Sequence, residues 1–367
     1  MKILHLNTER TWRGGEQQTL YLLEALKKRN IFCHLVSPPG SLLAQRALAA
    51  GLEVFPVAMH GEIDPLACRR IRRLIKRFHY DIIHCHTSHA HSLGFFASMG
   101  WPICRLVTRR VDFSIFRHSF LKLSGIKYRR MADYYIAISD YIKEVMEKDG
   151  IDAGRIFVVH SGIDPQRLSA DSGSHLIDEF DLQADERVVI NVAHLAGHKG
   201  QQYLVRAIPH VLKKIPRVRF FIVGGGQLMS ELRQLAASLG LGRELVFTGF
   251  RQDVGGFYKI ADLFVMSSIQ EGLGTAVLDA LALEKPVVAA NSGGLAEIIH
   301  DGRTGRLVAA ADPMALARGI IDLLEHREMA GQMARRGKAM VEEKFSIEAM
   351  VGKNIAVYRR LLSRQQQ

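Results

Sequence analysis

The chain has 367 residues, 48% of them hydrophobic and 23% charged, with a formal net charge of +12. That length is more than one core usually serves, so two domains are expected, and the composition is that of a globular protein rather than a disordered or fibrous one. The four cysteines, Cys33, Cys68, Cys85 and Cys104, form no CxxC pair; they argue against a disulfide framework and fit a reducing, cytosolic setting.

The opening MKILHLNT is too short and too polar for a signal peptide and reads as a first strand. Further strands are expected at FCHLVS, EVFPVA, DIIHCH, CRLVTR, YYIAIS and IFVVHS, and then at RVVINVAHL, RFFIVGG, LVFTGF, LFVMSS, KPVVAAN and TGRLVA. Amphipathic stretches such as EQQTLYLLEALKKR and GQQYLVRAIPHVLKKI lie between them. Strand–helix alternation predicts parallel sheets covered by helices on both faces, and two such series predict two Rossmann-like domains. The break is expected near Ser161–His175, where Asp164-Pro165 opens a turn and Ser, Gly and Asp suit a linker. In open parallel sheets ligands sit beyond the carboxyl ends of the strands, so site residues are sought there.

Charge is uneven. Residues 1–160 hold 24 Lys/Arg against 14 Asp/Glu, while residues 161–367 hold 25 against 23. A basic first half points to an anionic surface or substrate. Its densest piece, ACRRIRRLIKRFH (Ala67–His79), puts Ile71, Leu74, Ile75 and Phe78 on one helical face with Arg and Lys around the rest. A solvated helix and a membrane-facing patch are both consistent with that pattern. The stretch His84–Cys104, within the longest run without a formal charge (Ile82–Cys104), is broken by four histidines and a proline, which excludes a membrane span there. His84 and His86 share a strand face, but no acid or cysteine stands at zinc spacing, so no metal site is expected. A nucleic-acid partner is not expected either, for want of an aromatic-rich or helix-turn-helix reading motif.

The second half carries the chemistry. After LFVMSS comes Gln270-Glu271-Gly272-Leu273-Gly274-Thr275, a glycine turn that lets backbone amides approach a ligand and opens a helix whose positive end faces the same place. Glu271 and Asp279 flank it, Asp279 one helical turn past Thr275, which suits diol recognition beside a phosphate; a tight turn with a capping Glu is the plainer alternative. Lys199 and Gly200 follow another strand, where a lysine can neutralise a leaving diphosphate. Gly224, Gly225 and Gly226 follow the next, and Gly293, Gly294 and Glu297 a fourth.

These elements resemble the retaining glycosyltransferases of family four, which have the GT-B fold. The matching run is Ala261–Val308: Glu271, seven residues, Asp279, then Pro286–Val288 and Gly293–Glu297. The resemblance extends over nearly the whole chain. It implies an α/β protein of two Rossmann-like domains facing each other across a cleft: an acceptor domain over 1–165, a nucleotide-sugar domain over 166–345, and a C-terminal helix over 346–367 that returns to the first domain. The donor implied is a nucleotide-diphosphate sugar, a UDP-sugar being favoured, with no cofactor and no metal required. By match, Glu271 lies near the donor sugar, Asp279 holds the ribose, Gly272, Leu273 and Gly274 give the turn, and Lys199 steadies the diphosphate. Gly14 and Gly15, in TERTWRGGEQQTL, would approach the donor phosphates from the first domain, and His86 would line the acceptor cleft.

Three positions depart from the family pattern. His194 stands where Arg is usual, Asp279 where Glu is usual, and Thr108 where a donor-contacting histidine is common. Arg109 and Arg110 follow Thr108. They serve a phosphate-bearing acceptor on one reading and packing on the other. The expected reaction is sugar transfer to an anionic envelope glycolipid such as a lipopolysaccharide core, by a cytoplasmic enzyme; a peripheral place at the inner face of the membrane and a soluble acceptor both stay open. The rival reading is a nucleotide-sugar epimerase of the same architecture.

Overall fold

The computed structural model describes residues 1–116, 124–169 and 171–365. The chain divides into two compact units, Met1–Gly162 with Ile347–Gln367, and Ile163–Ser346.

In the first unit the strands are β1 (Lys2–Leu6), β2 (Phe32–Ser37), β3 (Val54–Pro56), β4 (Ile82–Cys85), β5 (Cys104–Arg109), β6 (Tyr134–Ala137) and β7 (Ile156–Val158). The helices between them are α1 (Gly14–Lys28), α2 (Leu42–Ala49), α3 (Pro65–Phe78), α4 (Ser88–Ser98), α5 (Ser124–Arg130) and α6 (Asp140–Lys148). All pairings are parallel, in the order β3-β2-β1-β4-β5-β6-β7. Because the order reverses between β1 and β4, the loops leaving those two strands diverge to opposite faces and open a crevice between them. Short polar side chains start the helices: the Oγ atoms of Thr87 and Ser139 accept from Ala90 N and Ile142 N, and Asp64 with Pro65 starts α3.

The second unit has β8 (Arg187–Val192), β9 (Val218–Val223), β10 (Leu245–Gly249), β11 (Leu263–Met266), β12 (Val287–Ala290) and β13 (Arg306–Val308), parallel in the order β10-β9-β8-β11-β12-β13. Its helices are α7 (Gln166–Ser169), α8 (Ser174–Glu179), α9 (Gln201–Leu212), α10 (Met229–Ser238), α11 (Val254–Ile260), α12 (Thr275–Ala282), α13 (Leu295–Ile298), α14 (Pro313–Glu325) and α15 (Arg327–Lys344). The reversal here lies between β8 and β11. β9, β11 and β12 are buried at every residue, as expected of strands covered on both faces.

All thirteen strands sit where the β-branched runs place them. The Ser/Gly/Asp-rich stretch read as a linker is different: α7 and α8 occupy it and pack on α11, so closely that a Cβ on Gly255 would lie 2.4 Å from the carbonyl oxygen of Leu168. Local composition signalled turns, and tertiary packing made helices. The last helix, α16 (Ile347–Gln365), belongs to the first unit. Val351, Ile355, Tyr358 and Leu361 are buried in one cluster with Ile3, Leu26, Ile82, Leu106 and Ile136. No helix among the described residues is long and apolar enough to cross a membrane.

Candidate active site

The reversal of the second sheet gathers the loops that follow β8, β11 and β12. After β8 the chain passes exposed His194, makes a single 3-10 turn over Gly197–Lys199 and enters α9. The carbonyl of His198 accepts from the amides of Ile269 (2.9 Å) and Gln270 (3.2 Å), and Ser267 Oγ donates to Lys199 O at 3.1 Å, so the β8 and β11 loops are stitched together. Ser292 Oγ donates to Ser268 O at 2.7 Å, and Gly294 N to Glu271 O at 2.9 Å, which adds the β12 loop. Gly294 has to be glycine, since a Cβ there would lie 2.4 Å from the carbonyl oxygen of Gly272.

Within this frame Lys199 Nζ donates to Glu271 Oε2 at 2.6 Å, and Ser268 Oγ donates to the same oxygen at 3.1 Å. Both side chains remain partly open to solvent, Lys199 at 18% and Glu271 at 11%. A cation and an anion therefore sit side by side at the carboxyl edge of the sheet, each able to exchange its partner for a ligand of opposite charge. Beside them, Gly274 adopts φ +89° as the N-cap of α12, and no side chain caps that helix. Its positive end is thus presented next to Gly272 and Leu273, with Thr275 as its first residue.

Asp279 lies one turn into α12. Its side chain is 15% exposed and stands 3.8 Å from Arg167 Nη2 of α7. Burial pushes its carboxyl up to about 7, against the pull of Arg167 and with added repulsion from Asp164. On the other side of β8, Gly224 N donates to Gly249 O at 2.9 Å and Gly225 O accepts from Leu195 N at 3.0 Å, which sets that glycine loop against His194. The structure thus brings His194, Lys199, Gly224, Gly225, Glu271, Gly272, Leu273, Gly274, Thr275 and Asp279 to one edge of one sheet.

The first unit handles its polar groups differently. His5, His84 and His86 converge at its reversal, at 0%, 0% and 5% exposure. His5 Nδ1 shares a hydrogen bond with His86 Nε2 (2.9 Å), while His84 bonds the hydroxyls of Tyr358 (2.7 Å) and Thr108 (2.7 Å). Burial holds His5 down to about 3 and the other two well below their ordinary range, so all three rings are neutral at physiological pH. Their nitrogens lie within 4.8 Å of one another, a spacing three metal ligands could adopt, but His84 has both nitrogens committed to hydroxyls. Thr108, which replaces the family's histidine, is one of those partners, so the departure is absorbed by a hydrogen bond. His86 points into a cavity of about 10 Å³, room for about one water, shared with Gln18, Thr108, Arg110 and Asn354.

Arg109 and Arg110 take separate paths. Arg109 is 4% exposed and donates to the Tyr128 hydroxyl (2.8 Å) and to the Phe113 carbonyl; these are protein partners. Arg110 leaves the strand on the other side and passes Gly15, its Cδ only 3.3 Å from where a Gly15 Cβ would stand. Burial brings its guanidinium down to about 10, opposed by the charge of Glu16, and its Nε has no partner among the described residues. Glu16 itself folds the preceding loop, accepting from Asn7 Nδ2 (3.2 Å) and Arg13 N (3.1 Å). Gly14, exposed, starts α1.

Sequence reasoning missed Arg167, Ser268 and Tyr358. Arg167 sits in the supposed linker. Ser268, adjacent to the Gln-Glu-Gly turn, could have been found as a donor three residues before Glu271.

The family model "Glycosyl transferases group 1" matches residues 175–340, and "Glycosyltransferase Family 4" matches residues 12–167. A GDP-mannose-dependent alpha-(1-6)-phosphatidylinositol monomannoside mannosyltransferase of Mycolicibacterium smegmatis is 29% identical over 293 residues, 75% of each chain. The lipopolysaccharide core biosynthesis glycosyltransferase LpsE of Rhizobium meliloti is 31% identical over 172 residues, 47% of this chain and 49% of that one. Among solved structures, Anabaena HepE in complex with UDP and glucose superposes with a TM-score of 0.85 at 22% identity, covering 98% of this chain and 100% of that one. The two family models fall one on each unit, on the two doubly wound sheets that this architecture requires, and the chain belongs to the family-four glycosyltransferases of GT-B fold.

Proposed function

We propose that this glycosyltransferase takes a sugar from a UDP-sugar held on the second unit and transfers it, with retention, to an anionic envelope glycolipid such as a lipopolysaccharide core. The observation that carries the donor half is the 2.6 Å Lys199–Glu271 pair beside the uncapped start of α12. A diphosphate entering there takes over Lys199, leaving Glu271 to the sugar hydroxyls. The amides around Gly272, Leu273 and Gly274 and the helix end add positive charge, and Asp279 receives the ribose diol. As the bond from the anomeric carbon to the diphosphate oxygen breaks, negative charge grows on that oxygen, where Lys199 and these dipoles already stand. The acceptor hydroxyl adds to the same face of the sugar, and its proton leaves with the diphosphate. Because this positive charge comes from the chain itself, the reaction is expected to proceed without a metal and to survive a chelator.

UDP is favoured because HepE, of the same fold, has been crystallised with UDP and with UDP-glucose. The mannosyltransferase relative makes GDP-mannose the competing donor. The anionic acceptor is supported by the basic first half, by Arg110 beside Gly15, and by the role in LpsE's name. Thermal stabilisation measured with UDP-, GDP- and ADP-sugars tests the donor; the largest shift is expected with a UDP-sugar. Incubation with that donor alone tests the reaction class. Conversion to an epimeric nucleotide sugar without acceptor would replace transfer by epimerisation.

A further inference from the structure

Helix α3 has more positive charge than its own unit uses. Its buried side is Ala67, Ile71 and Ile75, facing α4, with Cys68 Sγ 3.8 Å from the carbonyl of Leu93. At 3.6 residues per turn, Arg69, Arg70, Arg72, Arg73, Lys76 and Arg77 occupy an arc of about 160° on the opposite side. All six are exposed. The two acids nearby are engaged elsewhere: Asp64 accepts from the amides of Ala67 and His60, and Glu62 pairs with Lys127 at 2.5 Å. Among the described residues, none of the six basic side chains forms an ion pair with an acid.

Two features separate this face from an ordinary solvated helix. First, like charges three and four residues apart repel, by roughly 0.2–0.5 kcal/mol a pair, and the 14-residue helix contains no acid to relieve them. Second, large apolar side chains stand in and around the charged arc: Leu66 is 70% exposed, Ile63 just before the helix 79%, and Met99, whose carbonyl accepts from Arg72, 49%. Cations with apolar tips between them match an anionic bilayer surface, where the tips enter the headgroup layer and the long basic side chains reach the phosphates. A nucleic-acid face has no comparable use for Ile63 and Leu66.

We infer that the exposed face of α3, with Ile63, Leu66 and Met99, is a docking surface for an anionic lipid bilayer. The inference deepens the glycolipid reading, since an acceptor carried in that leaflet is met by an enzyme already lying on it, and its geometry does not depend on the donor site. The test is co-sedimentation of the full chain with vesicles of phosphatidylcholine, alone or with about a third phosphatidylglycerol, at stepped salt, alongside stabilisation by UDP. Binding is expected only with the anionic lipid and is expected to weaken as salt rises. Each basic residue at such a surface is worth about fivefold, so the combined Arg69→Gln, Arg70→Gln, Arg73→Gln and Arg77→Gln variant should bind at least about a hundredfold more weakly. Leu66→Gln should cost a few-fold, and UDP stabilisation should be unchanged in both, which shows them folded. Undiminished vesicle binding by the fourfold variant, or tighter binding to a DNA duplex than to the anionic vesicles, would overturn the inference. Loss of UDP stabilisation in the unmodified protein would instead overturn the donor reading and leave the vesicle result standing.

Discussion

The two units share one topology and treat the polar side chains at its reversal in opposite ways. In the second, Lys199 and Glu271 pair while partly exposed, beside a helix start that no side chain caps. In the first, His5, His84 and His86 are buried, neutral and tied to one another or to Thr108 and Tyr358. One edge presents a charged pair and an open helix end to a ligand; at the other, His84 commits both nitrogens, one of them to Tyr358 of α16, while His5 Nε2 and His86 Nδ1 are buried with no partner among the described residues. A fully bonded ring such as His84 acts as a strut, whereas the partly exposed Lys199–Glu271 pair can exchange partners for a ligand.

The largest test of that contrast is Glu271→Gln. The amide keeps the volume and removes the charge, so the fold should persist, with Tm moved by no more than a few degrees. Sugar transfer should fall by about a hundredfold to a thousandfold, the scale of losing one electrostatic group at a reacting centre. Turnover measured against a thermal melt separates the two effects, and retained turnover would remove Glu271 from the site.

His84→Phe probes the other side. It leaves the Thr108 and Tyr358 hydroxyls buried without their partner, at a cost of about 2–4 kcal/mol. Denaturant unfolding should show that loss while UDP still stabilises the second unit. If instead transfer fails with stability intact, His84 belongs to the chemistry and the contrast fails.

The donor edge was legible because its signals are local. Glycine turns follow successive strands, and the acids and lysine stand at fixed offsets from them. The strand series was legible for the same reason, through short β-branched runs. What escaped depends on contacts between distant segments. Arg167 was hidden because the Ser/Gly/Asp content of its stretch says linker, whereas packing on α11 makes α7 and α8. The histidine cluster needs the knowledge that β1 pairs with β4, which sets His5 opposite His84. Arg109 and Arg110 look alike in sequence, yet successive residues of an extended chain point to opposite faces, so one found Tyr128 and the other Gly15.

A third test concerns Asp279, whose carboxyl burial raises to about 7. An unfolded aspartate ionises near pH 4, so between roughly pH 4 and 7 the folded chain holds a proton that the unfolded chain has lost. Stability contributed by this group is therefore full at acid pH and falls by about 1.4 kcal/mol per pH unit across that window, levelling off above it. Asp279→Asn should remove that slope and leave the variant more stable than the parent near pH 8. Donor binding should run the other way. Ionised Asp279 is the better acceptor for a ribose diol, so UDP affinity should rise as pH passes through about 7 in the parent and stay flat in the variant. Arg167→Ala should move both transitions to higher pH, since Arg167 favours the ionised form. Melting curves and UDP titrations from pH 5 to pH 8 read both trends. An unchanged pH slope in Asp279→Asn would mean that the buried carboxyl of this unit's α12 is not the titrating group, and that the ribose contact has to be sought elsewhere at the edge.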